Sequence, residues 1–145
     1  MKIILIFVWI YAAMIAMSFW ESYTEGRHAW DKRKLGWKLR ITKRFVLPAY
    51  HFYLFFVMWP LLLTLPFVIY GFDLKMFGVV MSAYFSGLVV EDFFWYVVNP
   101  VVKLSEFNSK FAKFYAWIKL GELEVPLLYI IGLSMAITSW YFIWR

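Results

Sequence analysis

The sequence predicts an all-α integral membrane protein, a four-helix bundle with an interfacial amphipathic helix between the third and fourth helices. Three observations carry this reading. The 145 residues are 64% hydrophobic, 24% aromatic and 17% charged, with a mean hydropathy of +0.69, whereas soluble domains run to about 45–50% apolar and 25% charged. A chain this short has too little interior to hide that much apolar surface from water. Four charge-poor runs approach or exceed the roughly 20 residues that a spanning helix needs. Finally, the charges gather in two of the three connections. The 16 Phe, 9 Trp and 10 Tyr exclude disorder, and the absence of Cys excludes a disulfide scaffold, thiol catalysis and Cys-ligated metals.

The first run, Ile3 to Trp20, carries no ionisable side chain, and the whole chain reads as one membrane domain. Its Ala16-Met17-Ser18 imitates a signal-peptide cleavage site, but cleavage is not expected, because it would export the basic connection that follows. The second helix, about 45–72, carries only His51 and three prolines, Pro48, Pro60 and Pro66, which should bend it. The third, about 76–102, carries only Glu91 and Asp92; Gly78, Ser82 and Ser86 recur every four residues beside Ala83 and Gly87, so it should be central. The fourth, about 125–144, is charge-free and opens on Pro126, a helix-start signal.

The connections 21–44 and 103–124 hold Arg27, Lys32, Arg33, Lys34, Lys38, Arg40, Lys43 and Arg44, then Lys103, Lys110, Lys113 and Lys119. Only Lys2, Lys75 and Arg145 remain for the other face. Short cytoplasmic loops carry the excess of Lys and Arg, so the expectation is a multi-pass cell-membrane protein with both connections cytoplasmic and both termini outside. In the first connection Trp37, Leu39 and Ile41 alternate with Lys38, Arg40 and Thr42, which reads as a basic arm hugging the membrane. In the third, Phe107, Phe111, Phe114 and Ile118 fall on one helical stripe. That stripe either lies in the interface, with lysines toward anionic headgroups, or packs on the bundle. The expected partners are membrane lipid and anionic headgroups, met by Lys38, Arg40, Lys43, Arg44, Lys110 and Lys113. No nucleic-acid motif accompanies the charge, and self-association stays open.

Ionisable residues inside a span are expensive and mark functional sites by default. Here they are Glu91, Asp92 and His51, and at about 1.5 Å of rise per residue all three fall in the cytoplasmic half. Glu21 closes the first helix there, Glu122 and Glu124 open the fourth, and Asn99 and Tyr96 share a helix face with Asp92. Carboxylates and an imidazole converging from four helices fit a divalent metal, with Glu91, Asp92, His51, Asn99 and Glu21 as candidate ligands and Tyr96, Trp95 and Glu124 in support. They equally fit acid–base catalysis by Glu91 and Asp92, proton or cation coupling in transport, or a structural ion-pair network. Against a di-iron centre, the Glu-to-His pairing at i, i+3 is absent, since His28 and His51 stand alone.

Gly36-Trp37 after a basic stretch, Tyr50-His51-Phe52 opening a helix, and Glu91-Asp92-Phe93-Phe94-Trp95 running to Asn99-Pro100 make the chain resemble a group of small prokaryotic polytopic membrane proteins. That resemblance covers most of the chain and implies topology without an activity. Glu91-Asp92-Phe93-Phe94 is also similar to the acidic-pair helix of the cofactor-free membrane lycopene cyclases, although this chain lacks the proline that usually precedes the pair. In those enzymes carboxylates protonate a polyene, which implies acid–base work on an isoprenoid. The aromatic interior and basic arms by themselves point to a lipid or isoprenoid ligand. The functional expectation is therefore a metal-dependent or acid–base site acting on such a molecule. A small oligomeric transporter or a non-catalytic accessory subunit are the alternatives; ion flux would mark the first and a stoichiometric partner the second.

Overall fold

A computed structural model describes residues 3–29, 35–41, 46–121 and 123–145. Lys2, Lys32, Arg33, Lys34, Thr42, Lys43, Arg44 and Glu122 lie outside the described residues. Four helices are long and apolar enough to cross a bilayer: Ile3–Glu25, Ala49–Tyr70, Leu74–Val98 and Leu127–Trp144. In a hydrocarbon environment each backbone polar group has to be satisfied within the segment, which only a helix does locally.

The first helix runs five residues beyond the predicted Trp20, to Glu25. Ser18, Glu21, Ser22 and Glu25 are all buried, continuing the face of Met14 and Met17 at helical spacing. The charge at Glu21 therefore sits in a helix contact and not at a water boundary. Gly26 stops the helix in the left-handed conformation, φ 58°, with its N–H on the Ser22 carbonyl at 3.0 Å, a common helix ending.

The third helix is the hub, as its small residues predict. Toward the first helix, a side chain at Gly87 would crowd Met14, the Tyr11 hydroxyl donates to Ser86 Oγ at 2.8 Å, and Ser18 Oγ donates to the Glu91 carbonyl at 2.7 Å. Toward the fourth helix, Ser82 Oγ donates to the Ala136 carbonyl at 2.8 Å and Ser139 Oγ to the Gly78 carbonyl at 2.9 Å. Buried Ile10, Met14, Met17, Leu54, Ala83 and Tyr84 form the core between the first, second and third helices.

The second helix starts at Ala49, later than the predicted 45, because Val46–Pro48 is a strand. Its irregularity takes the form of a π-helical stretch, Phe52–Met58, ahead of Pro60. In that winding the Trp59 N–H reaches the Leu54 carbonyl, so the next donor would serve Phe55, but Pro60 has no N–H. The Tyr84 hydroxyl donates to the Phe55 carbonyl instead. Tyr84→Phe should destabilise the bundle by about 1 kcal/mol, the scale of interhelical hydrogen bonds in membrane proteins, measured as a lowered unfolding midpoint in detergent. An unchanged midpoint would show that the carbonyl is satisfied otherwise.

Two corrections concern the connections. The fold is not purely α. β1 (Lys38–Arg40) pairs antiparallel with β2 (Val46–Pro48), and β3 (Trp117–Leu120) with β4 (Leu123–Pro126). The alternation of Leu39 with Lys38 and Arg40 is thus the period of a strand. Gly121, φ 65°, supplies the left-handed residue that a tight β3–β4 turn requires.

The interfacial amphipathic helix between the third and fourth helices is absent: residues 107–116 form turns. Side chains take the backbone donors that a helix would use, since Asn108 Oδ1 accepts from Lys110 N and Phe111 N at 3.0 and 3.1 Å. Ser109 N goes to Glu124 Oε2 at 2.8 Å, and such local competition disfavours helix. Phe107 and Phe111 pack on buried Trp95, Tyr96 and Val102, while Ile118 pairs with Val125 in the hairpin. The stripe folds onto the bundle.

The first and third connections meet at one end. Arg27 Nη2 pairs with Glu106 Oε1 at 2.5 Å, Arg27 Nη1 donates to the Val101 carbonyl at 2.6 Å, and the guanidinium lies over Phe111. The Arg27 guanidinium holds the Glu106 carboxyl below the usual carboxylate range.

Candidate metal centre

The first, second and third helices deliver acidic and imidazole side chains to the end where these connections meet. Glu21 and Glu25 stand one turn apart on the first helix, so both project to the same side. His51 opens the second helix, fixed by the strand before it: Ala49 N donates to the Trp37 carbonyl at 3.0 Å. Its Nε2 lies 3.5 Å from Glu21 Oε1 and 3.3 Å from Glu25 Oε1. The Tyr50 hydroxyl donates to Glu25 Oε1. One ligand atom from each of Glu21, Glu25 and His51 lies within 4.8 Å of the others. All three are buried, with His51 1% exposed, Glu21 5% and Glu25 7%.

The third helix adds the acidic pair. Glu91 is 4% exposed, and its Oε1 has no hydrogen-bond partner. Asp92 points differently. Tyr115 donates to its Oδ1, and Tyr129 donates to its Oδ2 at 2.6 Å. Burial pushes the Tyr115 phenol well above its ordinary pKa, so it stays protonated and keeps donating. Between these groups lies a cavity of about 10 Å³, room for one water-sized particle, lined by Glu21, Glu25, Asp92, Trp95, Tyr96 and Tyr115 among others.

Of the residues anticipated from sequence, the structure brings Glu21 and His51 together, with Asp92, Trp95 and Tyr96 around the adjoining cavity, and Glu91 is buried on the third helix. Asn99 stands apart in role. Its Nδ2 donates to the Gly26 carbonyl at 2.9 Å, and its Oδ1 accepts from Val101 N and Val102 N, so it caps the third helix and ties down the end of the first. Glu124 accepts from Ser109 N and Ser109 Oγ and pairs with Lys119 at 3.4 Å. The Ser109 N–H, more than the lysine, holds its carboxyl below the usual range. Sequence reasoning missed Glu25, Tyr115 and Tyr129. Glu25 was within reach, since Glu21, Ser22 and Glu25 extend the apolar face of the first helix up to Gly26. Nothing local marks Tyr115 or Tyr129, which reach Asp92 from distant segments.

No protein-family model, curated protein or solved structure matches this chain. The chemistry has to be read from the donors themselves. Among the described residues no lysine or arginine forms an ion pair with Glu21, Glu25, Glu91 or Asp92, and the one basic group facing Glu21 and Glu25 is the His51 imidazole. Buried carboxylates in such excess are costly unless protons or a cation neutralise them. A set of carboxylate oxygens with one imidazole nitrogen suits a divalent first-row metal.

Proposed function

We propose that this chain is an integral membrane protein that binds a divalent metal ion between Glu21, Glu25 and His51. The observation that carries the reading is the buried convergence of the three ligand atoms within 4.8 Å, contributed by two helices long enough to span a bilayer. The basic residues Arg27, Lys38, Arg40, Lys103, Lys110 and Lys113 of the two connections support a cytoplasmic orientation of that end by the positive-inside bias. The metal site then opens toward the cytoplasmic leaflet. The cavity beside the cluster has room for one water-sized particle, and a wider apolar groove of about 290 Å³ lies further along the bundle, between Tyr11, Ser82, Ser86, Ile137 and Trp144. The reading is therefore of a cation site first, with any chemistry on a bound molecule built upon the metal as Lewis acid.

The test is metal uptake by the detergent-purified chain after stripping with chelator, wild type beside Glu25→Gln. Stoichiometric uptake that the variant loses supports the proposal; equal uptake by both, or none by the wild type, contradicts it.

A further inference from the structure

We infer that the cavity beside this centre seats a single water molecule bound to the metal, so that the centre is of the open kind, in which a substrate oxygen can take the remaining position by displacing that water. The inference rests on the cation reading above and deepens it. In zinc proteins, closed structural sites use four protein donors, whereas catalytic sites use three and leave one position to water. Glu21, Glu25 and His51 are three, and among the described residues no further Asp, Glu or His joins them at ligand distance.

The cavity adjoins the donors themselves. Glu21 and Glu25 line it while also facing His51, and its volume of about 10 Å³ is the space of one water. Asp92 lines it too, held in place by the phenols of Tyr115 and Tyr129, each of which donates to one of its oxygens.

Two polar groups outside the donor set identify the occupant. Tyr96, 2% exposed, and Trp95, 4% exposed, both line the cavity, yet Tyr96 OH and Trp95 Nε1 have no hydrogen-bond partner among the described residues. Buried polar groups are rarely left so. The indole N–H can only donate, so the occupant accepts a hydrogen bond, which a bare cation cannot do. The acidic side chains of Glu21, Glu25 and Asp92 around the same space disfavour an anion. A neutral particle of this size that both accepts and donates is water. One lone pair serves the metal and the other the Trp95 N–H, while its two protons are left for the Tyr96 oxygen and a carboxylate.

The experiment is electron–nuclear double resonance on the chelator-stripped full chain in detergent, reloaded with Mn²⁺ and exchanged into ¹⁷O-labelled water. Wild type should show one ¹⁷O-coupled water on its bound Mn²⁺. Trp95→Phe removes the indole N–H without touching a ligand; it should take up Mn²⁺ as wild type does but exchange that water about 2–10-fold faster by ¹⁷O relaxation, the worth of one hydrogen bond. Bound Mn²⁺ with no ¹⁷O coupling, or with several waters, overturns the inference and leaves the cation reading intact, and so does an unchanged exchange rate in Trp95→Phe. No Mn²⁺ uptake by wild type overturns both. Should Trp95→Phe fail to fold, the wild-type water count decides alone.

Discussion

Glu25→Gln should lower divalent-cation affinity by at least about 100-fold while leaving the metal-free protein as stable as wild type or more so. The size follows because even outer-shell partners of metal ligands contribute about 10–100-fold, and Glu25 is placed as a ligand, 3.3 Å from His51 Nε2 and 7% exposed. The sign on stability follows from the charge excess. Glutamine keeps the shape and still offers an oxygen to the Tyr50 hydroxyl, while removing one of three buried carboxyl groups, Glu21, Glu25 and Glu91, that have no Lys or Arg ion-paired to them among the described residues. A structural ion-pair network makes the opposite forecast. Breaking a buried pair costs about 3–5 kcal/mol, so a stability loss without any change in metal affinity would replace the cation account with the network. Glu124→Gln is the control, and its affinity should match wild type, because that carboxylate is spent on Ser109 and Lys119.

The second large effect is expected at the opposite end of the bundle. Gly78→Leu should destabilise the protein by about 1–3 kcal/mol, the usual cost of overpacking. A Cβ there would meet Ile143 Cγ2 at 2.6 Å and Trp144 Cδ1 at 3.1 Å. The fourth helix has to move away, straining the Ser139 Oγ bond to the Gly78 carbonyl and the Trp144 Nε1 bond to Ser82 Oγ. Because Gly78 lies about 20 Å along the third helix from Glu91 at 1.5 Å per residue, metal affinity of the folded variant should not change. Thermal unfolding in detergent beside a metal titration checks both halves; a wild-type melting curve would mean that the helices do not pack as described.

What the sequence revealed and what it concealed divide along physical lines. The four apolar helices were legible because hydrocarbon-compatible composition is a property of the segment alone, and the central third helix because Gly78, Ser82, Ala83 and Gly87 can only be explained by close backbone approach. Boundaries drawn at the first charge failed at Glu21, where carboxylates are buried against other helices, and that rule hid Glu25. The Phe107–Phe111–Phe114 spacing read as a helix, and the segment forms turns instead. The outcome was decided by Asn108 and Glu124 capturing backbone donors, a tertiary arrangement that periodicity does not encode. Asn99 shared a face with Asp92 yet serves as a cap, since the residue before Pro100 ends the helix and its amide meets Gly26 and the backbone beyond. Glu21 and His51 were legible together because each is an ionisable residue that the apolar pattern does not require.

The central claim is that a cation sits against His51 inside the bundle, and pulsed electron paramagnetic resonance of the Mn²⁺-loaded protein in lipid nanodiscs tests it most directly. The chain has two histidines, and the other, His28, is exposed beyond the end of the first helix. A ¹⁴N coupling from one imidazole, present in wild type and in His28→Gln and lost in His51→Gln, is the expected result; no nitrogen coupling in wild type, or a coupling that survives in His51→Gln, would contradict the account.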